Sequence, residues 1–218
     1  MASNPQQNPP RPRPRLYLVT PPVADIAALA DVLPGLLAAA DVAAVLLRLL
    51  PADERSLTNR VKALAPGVQA SGVALIVDGH SDIVARAGAD GAHLSDIEAL
   101  RAAAPALKPS RIVGAGGLKT RHDSMTAGEI GVDYVMFGEP DVDGVRPSFG
   151  AILDRVEWWA ELFEIPCVAW AGDIAEIEEL CAAGADFIAL GDAVFSDPRG
   201  GVAALADAAK RLAARAPA

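Results

Sequence analysis

The chain has 218 residues, 52% of them hydrophobic, and a formal net charge of −9 at pH 7. This length and this apolar content are enough for a single domain with a sizeable buried core. The acidic balance argues against a protein that binds nucleic acid through a basic surface, because a phosphate backbone is held by clustered lysine and arginine side chains.

The first residues differ in composition from the rest of the chain. Residues 1–14 are mostly Pro, Gln, Asn and Arg, with almost no apolar side chain, a composition typical of disorder. We therefore predict a disordered tail over 1–14 and one domain over 15–218. Cys167 and Cys181 are too few for a disulfide framework and lie in apolar segments, so we expect free thiols and a cytoplasmic location.

The most apolar long stretch, Ala27 to Leu50, is interrupted by Asp31, Pro34 and Asp41. A membrane-spanning helix needs about 20 consecutive, predominantly apolar residues, so this stretch does not predict a span. The N-terminus also has no apolar central region that would indicate a signal peptide. We expect no membrane partner.

A short pattern recurs along the chain: a small residue or glycine, then aspartate, then an apolar run of strand length. It is found in AADVAAVLLR from Ala39, AGADGAHL from Ala87, GVDYVMFG from Gly131 and GADFIALG from Gly184. Its aspartates are Asp41, Asp90, Asp133 and Asp186. Such repetition indicates equivalent units within a larger fold. Glycine accepts the left-handed geometry of a helix end, so helices are predicted to end at Gly88, Gly131 and Gly184.

Four further runs are apolar throughout and lie between the repeats. They are LYLVT (16–20), VALIV (73–77), RIVGA (111–115) and PCVAW (166–170). Continuous apolar strands that alternate with Ala-rich amphipathic helices indicate a parallel sheet covered by helices. Eight strand-helix units in one domain predict a (β/α)8 barrel, closed by a last helix over 202–214. A doubly wound open sheet is the alternative, which the even spacing disfavours.

In such a barrel the chemistry lies on loops that follow the carboxyl ends of the strands. The residues at those positions are Arg48, Asp78, His93, Gly114 to Gly117, Gly138, Glu139, Gly172, Asp173, Gly191 and Asp192. Arg48 either binds an anion or forms a salt bridge at the rim. Asp78 and His80 either orient a substrate and move a proton or, for Asp78, cap a helix.

His93 is equally compatible with a structural hydrogen bond and with a ligand contact. Glu139 follows the buried run YVMFG, where partial burial would raise the pKa of its carboxyl and make it a general base. The alternative is a solvated acidic loop, since Asp141 and Asp143 follow. The GAGG loop at 114–117 permits close approach to a phosphate, although its one nearby cation is Lys119.

Several segments resemble the superfamily of thiamine phosphate synthases and thiazole tautomerases (TenI), which are (β/α)8 barrels. The resemblance covers Leu16 to about Arg211, and its most specific motifs are LYLVT, GADGAHLSD, GVDYVMFG, IPCVAWAGDI and GADFIALGDAVF. The family's synthases join a pyrimidine pyrophosphate to a thiazole phosphate with Mg²⁺. The resemblance implies that Asp78 and Glu98 would be the metal ligands, but Gly79 stands where the family's metal-binding aspartate lies.

The resemblance also implies altered anion sites. Arg48 remains from a Q-L-R-E-K motif, Gly116 stands in place of a serine, and Asp192 in place of another serine. Asp173 follows Gly172 where the family has an apolar residue, and Arg146 is the one substitute for a missing lysine. These changes add negative charge where three phosphates would bind. We therefore expect the Mg²⁺-dependent synthase activity to be weak or lost.

At the position of Gly79 the chain resembles the tautomerase branch more closely than the synthase branch, because the tautomerases also have a glycine there. They need no pyrophosphate-bound metal. Its proton-transferring histidine corresponds to Glu139. The resemblance implies a protein of thiamine biosynthesis with Glu139 as a catalytic residue, and we predict His80 as a second catalytic residue from its place after the third strand. The substrate-binding residues would be Arg48, Asp78, His93, Gly114, Gly116, Gly138, Gly172, Gly191 and Asp192. A tautomerase and a non-catalytic binding or scaffold protein remain alternatives, with a small-molecule ligand and a homodimer among the expected partners.

Overall fold

A computed structural model describes residues 12–214 of the chain. Within them eight strands form a closed barrel in which each strand pairs with its neighbours in chain order. The strands are β1 (Arg15–Val19), β2 (Val42–Leu47), β3 (Ala74–Asp78), β4 (Gly91–Leu94), β5 (Ile112–Ala115), β6 (Tyr134–Phe137), β7 (Cys167–Ala171) and β8 (Phe187–Leu190). The parallel pairing of β1 with β8 closes the ring. The predicted (β/α)8 barrel is confirmed.

Helices follow the strands and cover the outside of the barrel. They are α1 (Ala27–Ala39), α2 (Glu54–Ala70), α3 (Val84–Ala87), α4 (Ile97–Leu107), α5 (Arg121–Ile130), α6 (Phe149–Leu162), α7 (Ile177–Ala182), α8 (Asp192–Phe195) and α9 (Gly201–Ala214). A 3₁₀ turn, Ile174–Glu176, precedes α7. Side chains that accept backbone N–H groups start several of these helices, as at Asp53, Asp96, Thr120 and Ser148.

The barrel has two apolar layers because alternate strand residues point to opposite faces. Residues that point outward pack against the helices, as Leu18, Val45 and Val135 do. Residues that point inward form a smaller cluster inside the barrel, consisting of Tyr17, Val19, Ala44, Leu46, Ile76, Tyr134, Met136, Val168, Trp170 and Ala189. The interior is therefore filled with side chains, and ligand chemistry is confined to its ends.

The recurring aspartates lie at the amino-terminal end of the barrel. Asp90, Asp133 and Asp186 each precede an even-numbered strand, and each accepts the backbone N–H at the start of the strand before it, at 2.8 Å. Asp41 differs, since its carboxylate pairs with the guanidinium of Arg15 instead. The repeat thus reflects one structural contact that joins adjacent strands.

The predicted helix-ending glycines have the expected backbone geometry. Gly88, Gly131 and Gly184 have φ angles of 76°, 87° and 96°. Residues 1–11 of the predicted tail lie outside the described residues, and β1 begins at Arg15. Cys167 is buried and Cys181 is partly buried, and the Sγ atom of Cys167 lies 3.9 Å from the carbonyl oxygen of Gly184. No helix within residues 12–214 is long and apolar enough to cross a membrane.

Candidate active site

The carboxyl ends of β3 to β6 bring together several of the predicted residues. Asp78 is the last residue of β3, and His93 lies beside it on β4 in the parallel register. Glu139 follows β6 and Gly116 follows β5. His93 is fully buried, whereas 15% of the Glu139 side chain is exposed, so the glutamate is the part of this group that faces a ligand.

The centre of the site is a pair formed by His93 and Glu139. The Nε2 atom of His93 lies 2.9 Å from Oε1 of Glu139. The other carboxylate oxygen, Oε2, accepts the backbone N–H of Gly117 at 2.9 Å. On the opposite side of the ring, Nδ1 of His93 lies 2.9 Å from the hydroxyl of Tyr134. Both ring nitrogens and both carboxylate oxygens therefore have partners.

Gly116 makes room for this pair. A Cβ atom on Gly116 would lie 2.0 Å from Oε2 of Glu139 and 2.3 Å from Nε2 of His93, far inside van der Waals contact. Any larger residue at position 116 would displace the carboxylate or the ring. The space that the missing side chain leaves is therefore filled by the protein's own ion pair.

The pKa of Glu139 is set by opposing effects. Burial alone would raise the pKa of its carboxyl, as the sequence predicted. The charge of His93, the hydrogen bonds from His93 and from Gly117 N–H, and the charge of Arg48 outweigh burial, so the pKa of Glu139 lies below its ordinary value. The predicted rise was wrong, because sequence reasoning did not place a histidine against this carboxylate.

The pKa of His93 moves in the opposite direction. Burial alone would lower it, but the charge of Glu139, the hydrogen bond to Glu139 and the charge of Asp78 raise it above its ordinary value. An imidazolium donates from both nitrogens, one to Glu139 and one to the Tyr134 hydroxyl. Both shifts favour the arrangement in which an imidazolium lies next to a carboxylate.

Two tyrosines that the sequence analysis missed extend this network into the barrel. The hydroxyls of Tyr134 and Tyr17 are 2.7 Å apart, and both side chains are buried. The ring of Tyr134 lies where a side chain on Gly114 would be, 2.0 Å from its Cβ position. Burial raises the pKa of both phenols well above 10. Tyr17 and Tyr134 are the two tyrosines of the chain, and each is at an inward-facing position, a signal that could have found them.

Asp78 and Arg48 form the other side of the site. Nε of Arg48 lies 3.7 Å from Oδ2 of Asp78, and both side chains are partly exposed. Burial raises the pKa of Asp78 although the charges of His93 and Arg48 oppose that rise. Asp78 does not cap a helix, since α3 begins at Val84, so that alternative was wrong. His80 lies half-buried just beyond Asp78, and its charge also favours the ionised form of Asp78.

Among the described residues, the structure gathers no cluster of three metal ligands around Asp78 and Glu98, the two ligands that the resemblance implied. Asp78 is the last residue of β3, and Glu98 is exposed in the first turn of α4. Across residues 12–214 no group of three or more His, Cys, Asp or Glu side chains is arranged to hold a metal ion. The residues present therefore do not fit a magnesium ion held by the protein alone.

At the end of β7, an ion pair occupies the glycine loop. Gly172 donates its backbone N–H to Oε2 of Glu176 at 2.7 Å. Arg146 donates from Nη1 and Nη2 to the same carboxylate, at 3.0 and 2.7 Å. Asp173 accepts the N–H of Ala175 at 2.7 Å and so begins the 3₁₀ turn. Sequence reasoning found Arg146 and Asp173 but missed Glu176.

The remaining predicted residues, Gly138, Gly191 and Asp192, follow β6 and β8. Gly138 has a φ of 91° and packs against Ile152, and the ring of Trp170 lies 3.1 Å from the Cβ position of Gly191. Asp192 is exposed at the start of α8. No contact in the described chain joins Asp192 to the His93 and Glu139 pair, and its binding role stays a prediction.

A cavity of about 700 Å³ lies outside the barrel, between the loop after β7 and helices α8 and α9. Its basic side chains are all paired with carboxylates: Arg199 with Asp197 and Asp207, Lys210 with Asp207, and Arg211 with Glu178. It shares only Gly172 and Asp173 with the strand-end residues predicted from the sequence. We therefore place the chemistry at the barrel mouth and not in this cavity.

Comparison with known proteins agrees with this architecture. A family model described as thiamine monophosphate synthase matches residues 16–194. The chain is 41% identical to a thiamine-phosphate synthase of Rhodospirillum centenum, over 88% of this chain and 95% of that protein. It is 37% identical to a thiamine-phosphate synthase of Hyphomonas neptunium, over 90% of this chain and 92% of that protein.

Solved structures show the same fold. A thiamine phosphate pyrophosphorylase from Pyrococcus furiosus superimposes with a TM-score of 0.76 at 22% identity, covering 93% of this chain and 96% of that one. A 3-hexulose-6-phosphate synthase from Salmonella typhimurium superimposes with a TM-score of 0.72 at 14% identity, covering 92% and 100%. The family model over residues 16–194 and the two sequence relatives show that this chain belongs to the thiamine monophosphate synthase family.

Proposed function

We propose that this protein binds or converts a thiazole or pyrimidine precursor of thiamine at the mouth of its barrel, and that its Mg²⁺-dependent synthase reaction is weak or lost. Family membership and the names of its relatives support the place in thiamine biosynthesis. The observation that carries the second part is the carboxylate of Glu139, which fills the space over Gly116.

The charge of the site explains why a pyrophosphate would bind poorly. The lowered pKa of Glu139 favours its ionised form, its side chain is 15% exposed, and Asp78 is a second carboxyl group near enough to interact with its charge. A multivalent anion that approaches these carboxylates is repelled, and the repulsion is larger at a partly buried site than in water. The guanidinium of Arg48 already faces Asp78, and His93 is already paired with Glu139.

Magnesium would normally offset such repulsion, because it binds substrate phosphates and neutralises their charge. Within residues 12–214 no three His, Cys, Asp or Glu side chains are arranged around a metal position, and Gly79 has no side chain with which to bind one. What the residues themselves supply is a positioned carboxylate and a buried imidazolium behind it.

The first test is a synthase assay on the full chain with pyrimidine pyrophosphate, thiazole phosphate and Mg²⁺. We expect pyrophosphate release far below the turnover of about 1–1,000 per second that is usual for enzymes. The same preparation should be stabilised against heating by an unphosphorylated thiazole or pyrimidine ring, because a ligand that binds only the folded state raises the melting temperature.

Two outcomes would contradict this proposal. An ordinary synthase turnover would show that the acidic mouth accommodates pyrophosphate. A melting temperature that none of the ring precursors changes would remove the binding function and favour a scaffold protein. Pyrophosphate with Mg²⁺ serves as the matched ligand control, and we expect it to produce no shift.

The pair of His93 and Glu139 favours a second candidate, a thiazole tautomerase. Glu139 is held ionised and exposes its edge to the mouth, so it can take a proton from a bound ring and return it to another atom. His93 remains the hydrogen-bond donor to Oε1 and stabilises the carboxylate between transfers. Tyr134 holds the other side of the imidazole ring in place.

The test of this candidate is hydrogen exchange on a thiazole phosphate in D₂O, followed by NMR. We expect slow exchange with the wild-type chain and none with Glu139→Gln, because an amide does not accept the proton. Glu178→Gln is the control, since Glu178 pairs with Arg211 on the outside of the barrel. Equal exchange with and without the Glu139 carboxylate would exclude it as the base.

A further inference from the structure

The carboxylate of Glu176 is surrounded by hydrogen-bond donors at the carboxyl end of β7. Three N–H groups point at it: the backbone amide of Gly172 and both terminal nitrogens of Arg146, at 2.7 to 3.0 Å. About four fifths of each of the two side chains is buried, with exposed fractions of 21% for Arg146 and 19% for Glu176. A planar fork of two N–H groups together with a main-chain amide is a common arrangement around phosphate and carboxylate groups.

Arg146 is fixed closely against the strand end. Its Nη1 atom lies 2.0 Å from the position that a Cβ on Gly172 would have, so only glycine allows the guanidinium to reach this place. The guanidinium also lies 5.9 Å from the centre of the Phe149 ring. Among the described residues the buried Nε atom of Arg146 has no hydrogen-bond partner. The arginine therefore retains donor capacity that the Glu176 carboxylate does not use.

The donors of Arg146 and Gly172 form an anion site at the face of the barrel where ligands bind. The anion in that site is the chain's own Glu176 carboxylate. A phosphate of a ligand would need the same three donors, and would meet the negative charge of Glu176 within contact distance. The Coulomb repulsion between two anions at a partly buried site is large enough to prevent both from staying.

We infer that Glu176 determines specificity: it occupies the anion position at the end of β7, so the ligand of this barrel carries no phosphate at that end. The group that reaches Gly172 in the complex is neutral or cationic. This inference rests on the proposed function, because it describes which thiamine precursors the barrel accepts. Removal of the Glu176 charge turns the same donors into a phosphate site.

The experiment measures binding of inorganic phosphate by calorimetry to the wild-type chain, Glu176→Gln and Glu176→Ala. We expect a dissociation constant at least about 10-fold lower for both variants than for the wild type, which corresponds to about 1.4 kcal/mol. The gain should disappear when Arg146→Lys is added to Glu176→Gln, since lysine cannot form the bidentate fork.

Glu178→Gln is the matched control for net charge. Glu178 lies two residues further along the chain and pairs with Arg211 at 2.8 Å on the outside, so its substitution changes the protein's charge equally without freeing Gly172. We expect wild-type phosphate affinity in this variant. An equal gain in Glu178→Gln, or no gain in a folded Glu176→Gln, would overturn the inference.

A second measurement needs no variant. In NMR spectra of the wild-type chain, the amide signal of Gly172 and the Nε signal of Arg146 should stay unchanged as phosphate is added into the tens of millimolar. Saturable shifts of these signals at low millimolar phosphate would overturn the inference while leaving precursor binding intact. If ring precursors fail to bind, the proposed function fails, and the phosphate titrations still decide the role of Glu176.

Discussion

The two ends of the barrel use the same chemical contact for different purposes. At the amino-terminal end, Asp90, Asp133 and Asp186 accept backbone N–H groups of the neighbouring strands. At the carboxyl end, Glu139 and Glu176 accept the backbone N–H groups of Gly117 and Gly172. The three aspartates occupy equivalent positions in their repeats. The two glutamates have different side-chain partners, His93 for Glu139 and Arg146 for Glu176.

This difference separates the end whose contacts hold the strands together from the end whose contacts shape the ligand site. The aspartate contact is repeated before three of the four even-numbered strands, and in each case it joins two neighbouring strands. The contacts at the carboxyl end pair a carboxylate with a different side chain in each loop, His93 in one and Arg146 in the other. They set the charge at the mouth and do not join neighbouring strands. Substitutions at the two ends should therefore change different properties.

The largest effect should come from Tyr134→Phe, which interrupts the network beneath the mouth. The substitution leaves Nδ1 of His93 and the hydroxyl of Tyr17 buried without their partner. Each such group costs about 1–3 kcal/mol of unfolding free energy, measurable by urea denaturation. Tyr17→Phe is the control, and it should cost less because His93 keeps its bond to Tyr134. Equal losses would show that the His93 contact adds nothing.

Gly116→Ala tests the crowding at the carboxyl end. The new methyl group would overlap the Glu139 carboxylate and the His93 ring, and overpacking of this kind costs about 1–3 kcal/mol. Gly67→Ala on α2 has nothing within 4 Å of its Cβ position, so it should instead stabilise the chain by about 0.5–1 kcal/mol. Denaturation of both variants checks this. A neutral Gly116→Ala would mean that the ion pair can move aside.

Asp186→Ala tests the amino-terminal end. The backbone N–H of Cys167 loses its acceptor, which we expect to lower the unfolding free energy by about 1–2 kcal/mol with no change in ligand binding. Asp41→Ala removes an exposed ion pair with Arg15, and should cost less than about 1 kcal/mol. A similar cost for both aspartates would contradict the distinction between the backbone contact and the side-chain pair.

The smallest effect concerns pH. The pKa of Glu139 lies below its ordinary value. The stability that its ionised form gives the folded chain is therefore present above the ordinary glutamate pKa, and is lost as pH falls through the lowered pKa. The pKa of His93 lies above its ordinary value. The stability that its protonated form gives the folded chain is therefore present below the ordinary histidine pKa, and is lost as pH rises through the raised pKa.

The stability difference between the wild type and Glu139→Gln should therefore be largest at mildly acidic pH, between the ordinary pKa values of glutamate and histidine. It should shrink on either side of that window. Unfolding free energies measured from pH 4 to pH 9 would show this. A difference that grows steadily towards high pH would mean that His93 is neutral in the folded chain. Asp192→Asn is the control, because Asp192 is exposed at the start of α8.

The sequence by itself determined the barrel. The alternation of apolar strands with helices, the recurring aspartates and the helix-ending glycines are local patterns, and each needs only its own segment to be recognised. The loops that follow the strands could also be located, because parallel strands direct all their carboxyl ends to one face. Hence Arg48, Asp78, His93 and Glu139 were found as neighbours before their contacts were known.

Only the tertiary structure decided what these neighbours do. Tyr17 and Tyr134 are 117 residues apart, and His93 and Glu139 are 46 apart, so no local pattern brings them into contact. The contact between His93 and Glu139 lowers the pKa of Glu139, where the sequence predicted a rise. The same two side chains fill the space beside Gly116. The physical reason is that burial and charge act through distances in space, which the closure of the barrel sets and the order of residues does not.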